Sequence, residues 1–178
     1  MGVMVAVLAL LIIGLVIEEK SGLLQEGDKA PDFEVRLSDG QTFRLKDMEG
    51  KMNVVLFFYP KDFTAGCTAQ VCSMRDGYSE LANLDAVMFG VSGDGNRSHD
   101  LFRAEHNLPF DLIADTDRML INAFGVERLG GLLKIPKRVT YVIDKGGVIR
   151  LVAHHEFMMG KHLDDVLQTL RSGAGTGS

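Results

Sequence analysis

The chain has 178 residues, 46% of them hydrophobic and 24% charged, which is the balance of a folded protein long enough for one domain with a full core. A formal net charge of −5 and the lack of any basic block argue against a nucleic-acid partner. Two cysteines are too few for a small disulfide-scaffolded domain.

The first feature in chain order is MGVMVAVLALLIIGLVI (1–17), apolar throughout and ended by Glu18, Glu19 and Lys20. As a helix it would span about 25 Å, the lower limit for a bilayer core of roughly 30 Å. A helix apolar on every face must be surrounded on every face, and the remaining chain reads as a complete domain without it. The expectation is an N-terminal hydrophobic helix that anchors the protein to a membrane. A signal segment is the alternative, although the basic start and small-residue cleavage site of one are not evident. Lys20 and Lys29 follow the span and no Lys or Arg precedes it, which leans toward a cytoplasmic domain. The membrane face stays undetermined.

Residues 18–26 read as a linker, 27–172 as the domain and 173–178 as a flexible tail. DFEVRL (32–37) and QTFRL (41–45) alternate in polarity around Ser38, Asp39 and Gly40, a hairpin signature. NVVLFF (53–58) is a continuous apolar run, as in a strand buried on both faces. The segment YPKDFTAGCTAQVCSMRD (59–76) leads into an amphipathic stretch. AVMFGVS (86–92) is a second buried strand, HDLFRAEHNL (99–108) a surface helix, FDLIAD (110–115) a short strand and RMLINAFGV (118–126) a short helix. RVTYVID (138–144) and VIRLVAH (148–154) flank Lys145, Gly146 and Gly147 as a second hairpin, and HLDDVLQTLRS (162–172) is an amphipathic closing helix. Alternating strands and helices between two hairpins predict an α/β layer fold with a mixed central sheet.

Both cysteines, Cys67 and Cys72, fall in residues 59–76. Cys67 comes shortly after a strand end, where the following helix begins, and ligand sites of open α/β sheets gather there. A helix N-terminus offers unpaired N–H groups and partial positive charge, which favour a thiolate. Thr64, three residues earlier, is near enough to aim its hydroxyl at the sulfur. Five residues along a continuous helix place two Cα atoms roughly 8.6 Å apart, whereas a disulfide needs about 4.4–6.8 Å. Local unwinding would close that gap, an arrangement suited to a cysteine oxidised first and captured by its neighbour afterwards. Inert buried thiols remain a reading of the same residues. A zinc site fits poorly with no His or third Cys nearby, and a thioredoxin-type pair has two intervening residues rather than four. His154 and His155 face opposite ways on a strand and do not suggest a metal pair.

Taken together, these stretches resemble the peroxiredoxins. Pro60, Thr64 and Cys67 match the family's Pro-x-x-x-Thr-x-x-Cys, and a second cysteine at plus five is similar to the PrxQ, or bacterioferritin comigratory protein, subgroup of the AhpC/TSA family. The likeness runs in order through GDKAPDF (27–33), CTAQVCSMRD (67–76), FGVSGD (89–94) and RVTYVID (138–144). The resemblance implies a thioredoxin-like fold and a thiol peroxidase acting on hydrogen peroxide and organic hydroperoxides. It implies Cys67 as the peroxidatic and Cys72 as the resolving cysteine, with Thr64 and Arg138 beside them. Pro60, Thr64, Gly66 and Arg138 would bind the substrate. It further implies an intramolecular disulfide, a thioredoxin-like protein as reductant, no cofactor and no metal, and a monomer. Gln70 stands where the subgroup commonly has Glu, and Ala65 where it usually has proline, so the loop here is expected to be looser. Two other readings stay open: a membrane-tethered thiol–disulfide oxidoreductase, and a non-catalytic redox sensor.

Overall fold

The computed structural model describes residues 22–128 and 133–174. The first hairpin joins β1 (Glu34–Arg36) to β2 (Thr42–Arg44), with Val35 opposite Phe43. Gly40 supplies the positive φ, 83°, at the turn. A 3-10 turn (Leu45–Met48) leads into β3 (Asn53–Phe58). There follow α1 (Ala65–Asp76), α2 (Tyr78–Asn83), β4 (Ala86–Ser92), α3 (Asn96–His106), β5 (Asp111–Ala114) and α4 (Met119–Ala123). β6 (Glu127–Arg128) and β7 (Leu133–Pro136) make a small antiparallel pair. The second hairpin is β8 (Val139–Ile143) with β9 (Ile149–His154), and α5 (Met159–Ala174) closes the fold.

The central sheet has the order β5-β4-β3-β8-β9. β3, β4 and β5 run parallel, while β8 is antiparallel to both β3 and β9. This is a thioredoxin-like α/β fold with a mixed central sheet flanked by helices. Side chains of β3 alternate between two cores, as a period of two requires. Val54, Leu56 and Phe58 join one cluster with Phe33, Phe43, Phe124 and Tyr141. Val55, Phe57 and Tyr59 join the other with Val71, Met74, Phe102 and Val166. Burial on both faces explains why NVVLFF lacks polar alternation. The pairing of Phe58 with Val139 has the larger consequence for function. It sets the start of β8 beside the carboxyl end of β3, so residue 138 arrives where the segment 59–76 departs.

Beyond shifts of a few residues at strand and helix ends, four departures from the sequence expectation stand out. α3 starts at Asn96, because the amides of Ser98 and His99 both bond to the carbonyl of Gly95. α5 starts at Met159 and continues to Ala174, so helical backbone enters the stretch expected as tail. The β6–β7 pair went unanticipated, since a two-residue strand carries no periodicity to read. Finally, the proposed linker is packed onto the domain from Gly22 onward. Leu23 and Leu24 lie against the first core cluster, the Gly27 amide donates to Ile149 at 2.8 Å, and the Val152 amide donates to Glu26 at 3.3 Å. The anticipated N-terminal hydrophobic helix (1–17) lies outside the described residues. Among the described residues, no helix is long and apolar enough to cross a membrane.

Candidate active site

Tyr59 extends β3 by one residue, its amide donating to Val91 at 3.1 Å. Pro60 follows, half-buried, and with no N–H it ends that ladder. The chain then crosses residues 61–64 to α1. A buried polar network holds this crossing. The Tyr59 hydroxyl donates to Asp62 Oδ1 at 2.8 Å and the Ser98 hydroxyl to Oδ2 at 2.7 Å. His99 Nδ1 meets the same Oδ2 at 2.9 Å, while its Nε2 faces the Ile113 carbonyl at 3.2 Å. Asp94 accepts from the Asp62 amide and from Ser92. Burial would raise the Asp62 carboxyl, but hydrogen bonds from His99, Ser98 and Tyr59 outweigh it and hold the group below the usual carboxylate range. Burial first, and Asp62 second, push the Tyr59 hydroxyl far up, so it stays a neutral donor. Nothing in the sequence signalled this network, in which Tyr59 and His99 lie 40 positions apart.

Phe63 takes a left-handed φ of 58° and packs edge-on against Phe102, with ring centroids 5.0 Å apart. Thr64 is extended and forms the N-cap of α1. Its hydroxyl donates to the Lys61 carbonyl at 3.1 Å. This corrects the expectation that the hydroxyl is aimed at the sulfur: its proton goes to a backbone carbonyl three residues back, and the side chain closes the loop on itself.

Cys67 occupies the first turn of α1, fully buried within the second core cluster. Amides of a helical first turn have no intrahelical acceptor. Arg138, 6% exposed, reaches it from the start of β8: Nη2 donates to Cys67 Sγ at 3.5 Å and Nη1 to Gln70 Oε1 at 2.6 Å. Gln70 lies three residues beyond Cys67 and hence on the same helix face, the one signal in the sequence that could have paired them. Gly66 lets the guanidinium approach, for a β-carbon there would stand 3.2 Å from Nη2. The same β-carbon would lie 3.9 Å from Met159 Cε, which places the start of α5 at the rim of the site. Sequence reading did not identify Met159 or Glu156. The Glu156 carboxylate accepts from Arg128 at 2.8 and 2.9 Å, from the Arg138 amide at 3.4 Å, and meets His154 at 3.2 Å. Burial opposes its ionisation, but these partners, Arg128 foremost, hold it below its ordinary range.

Cys72 is half-buried on the same uninterrupted helix, and both cysteines are free thiols. Ideal helix geometry keeps their Cα atoms roughly 8.6 Å apart, beyond disulfide reach. Pro60, Thr64, Gly66, Cys67 and Arg138 thus surround the end of β3, with Cys72 more than one helical turn away. Ala65 opens the helix at its first position. His154 and His155 each pair with a carboxylate, Glu156 and Asp165 respectively.

The AhpC/TSA family matches residues 26–152. The chain is 42% identical over 153 residues to peroxiredoxin Bcp of Bacillus subtilis (strain 168), covering 83% of this chain and 96% of that protein. Among solved structures, peroxidoxin BcpB from Mycobacterium tuberculosis superposes with a TM-score of 0.77 at 37% identity, covering 84% of this chain and 97% of that one. A bacterioferritin comigratory protein with alkyl peroxide reduction activity, from Xanthomonas campestris, superposes with a TM-score of 0.74 at 28% identity, covering 86% and 99%.

Proposed function

Because the chain belongs to the AhpC/TSA family and is a thiol peroxidase of the Bcp and peroxiredoxin Q kind, we propose that Cys67 is its peroxidatic residue and Cys72 the resolving one. The observation that carries the assignment is the 3.5 Å contact from Arg138 Nη2 to Cys67 Sγ in the first turn of a helix. A guanidinium is permanently charged and donates from a fixed plane. It therefore complements a thiolate and the oxygen on which charge develops during attack.

The Cys67 thiolate attacks the nearer hydroperoxide oxygen in line with the O–O bond. The S–O bond forms as the O–O bond breaks, and the departing alkoxide or hydroxide takes a proton to leave as alcohol or water. Arg138 and the first-turn amides at Gly66 and Cys67 face that developing charge. Pro60 and Thr64 shape the approach. The first turn of α1 then opens, and the Cys72 thiol displaces water from the sulfenic acid to give a disulfide. A thioredoxin-type protein reduces it. One chain holds both sulfurs, so the cycle is complete in a monomer. The Xanthomonas relative supports alkyl hydroperoxides as substrates beside hydrogen peroxide. The apolar run at 1–17 supports tethering to a membrane, which carbonate extraction of the full chain tests.

The catalytic assignment is tested by following peroxide loss with a thioredoxin system. Wild type should turn over. Cys67→Ser should be inert, and Cys72→Ser should consume one equivalent and stop. Turnover by Cys67→Ser would overturn the assignment.

A further inference from the structure

Phe157 and Met158 stand 94% and 58% exposed in the connection between β9 and α5. Single apolar side chains on a surface are ordinary. A phenyl ring left almost wholly in water beside an exposed thioether instead marks an interaction surface. The pair sits between two residues that border the candidate active site. Glu156 before it accepts from the Arg138 amide at 3.4 Å, and Met159 after it would lie 3.9 Å from a β-carbon on Gly66. Ile135, 37% exposed, belongs to β7, and the Arg128–Glu156 bonds tie the β6–β7 pair to the same connection. Lysines frame this end: Lys61 on the β3–α1 crossing and Lys161 in the first turn of α5 are exposed, and Lys137 is half-buried.

The chain enters the domain at the same end. A β-carbon on Gly125 would collide with the Gly22 carbonyl oxygen, so residue 22 lies directly on that turn. Next to it, Val126 accepts from the Lys137 amide at 2.7 Å, and Arg138 leads on to Glu156. Residues 18–21 reach about 14 Å at most when extended. An apolar segment at 1–17 seated in a bilayer therefore holds this end of the domain, with Phe157 and Met158, near the lipid surface.

We propose that Phe157 and Met158 form a membrane-docking surface, entering the headgroup boundary of a phospholipid bilayer so that the mouth of the site faces lipid. The inference rests on the tethering through 1–17 proposed above, and adds the orientation of the domain and the side chains that set it. Phenylalanine and other large apolar side chains settle in that boundary, and lysines beside them pair with lipid phosphates. Docking on a tether is intramolecular, so a patch too small to hold a membrane alone suffices once the anchor keeps it there. A hydroperoxide carried on a lipid acyl chain is then offered to the site from the bilayer rather than from solution.

The chain has no tryptophan, so a single introduced indole reports one position. The full chain carrying Phe157→Trp, or Lys51→Trp at the opposite end of β3, is bound to phosphatidylcholine vesicles with and without brominated acyl chains. Brominated lipid should quench about half or more of the emission from position 157, at headgroup-boundary depth, and leave that from position 51 unchanged. Bound chain with no quenching at 157, or with equal quenching at both positions, overturns the proposal alone. Chain that stays in the supernatant overturns the tethering as well. A second arm reads turnover with dithiothreitol as reductant. Phe157→Asp combined with Met158→Asp should reduce a phosphatidylcholine hydroperoxide in the vesicle about tenfold more slowly, the loss expected when one large apolar side chain is withdrawn from lipid. Hydrogen peroxide should be reduced at the wild-type rate. Equal losses on both peroxides overturn the proposal. So does a loss seen only when a thioredoxin replaces dithiothreitol, which would make the pair a docking point for the reductant.

Discussion

A β-carbon on Gly66 would sit 3.2 Å from Arg138 Nη2, the nitrogen that donates to Cys67 Sγ. The bare backbone at 66 is thus what allows a buried guanidinium to close over the sulfur. Gly66→Ala should displace that nitrogen while slightly favouring the helix. The guanidinium need yield only by a fraction of an ångström, so peroxide reduction should fall by up to about tenfold, well short of the loss expected for a full 1 Å misplacement, and stability should change by no more than about 1 kcal/mol. Steady-state peroxide loss beside a urea titration checks both halves.

Ala65 is the first residue of α1, and Thr64 before it is already extended, with φ −91° and ψ 146°. Proline fits such a position, since the residue ahead must avoid helical angles and the first helical N–H has no partner to lose. Ala65→Pro should therefore stabilise the reduced protein by about 0.4–1 kcal/mol. It should also slow the Cys67–Cys72 disulfide, because the turn that must open is stiffened. Stopped-flow measurement of disulfide formation after a single peroxide pulse would show it; an unchanged rate would mean the turn opens elsewhere.

Asp62 and His99 form a pair 2.9 Å apart with both side chains nearly inaccessible to solvent. Removing one member of such a pair leaves the other buried without its partner, typically at about 3–5 kcal/mol. Asp62→Asn should lower the urea midpoint accordingly. Because this pair fixes the crossing between β3 and α1, residual activity should fall as well, even at temperatures where the variant remains folded.

His162 is buried, and burial, the dominant cause, lowers it from 6.5 to about 4. The unfolded chain therefore binds a proton that the folded one refuses between those values. The associated stability is complete above about pH 6.5 and is lost as pH falls toward 4, on the order of 3 kcal/mol in total. Chemical denaturation of His162→Asn across that interval should show a flatter pH dependence than wild type. Carboxylates held low, such as Asp62 and Glu156, add their own loss at more acidic pH, whereas Asp115, raised chiefly by burial, acts in the opposite sense above its ordinary range, so the comparison of His162→Asn with wild type is what isolates the imidazole.

The strand runs at 53–58 and 86–92 were legible because a strand buried on both faces must be apolar throughout, a requirement met by adjacent residues. The sulfur at the head of a helix was equally legible, since the apolar run before it and the amphipathic stretch after it bracket the turn. Periodicity failed at chain ends and short elements: α5 overran its expected limits, and β6–β7 left no trace. Thr64 was assigned a partner by sequence distance alone, while its hydroxyl donates to the Lys61 carbonyl. What tertiary structure decided is which distant groups meet. Arg138 lies 71 positions from Cys67 and reaches it because β8 pairs antiparallel with β3 in one register, Phe58 against Val139. A slip of one residue would turn that guanidinium to the other face of the sheet. Local sequence fixes which residues alternate or coil, whereas the charge balance of a buried pocket depends on groups that only packing brings together.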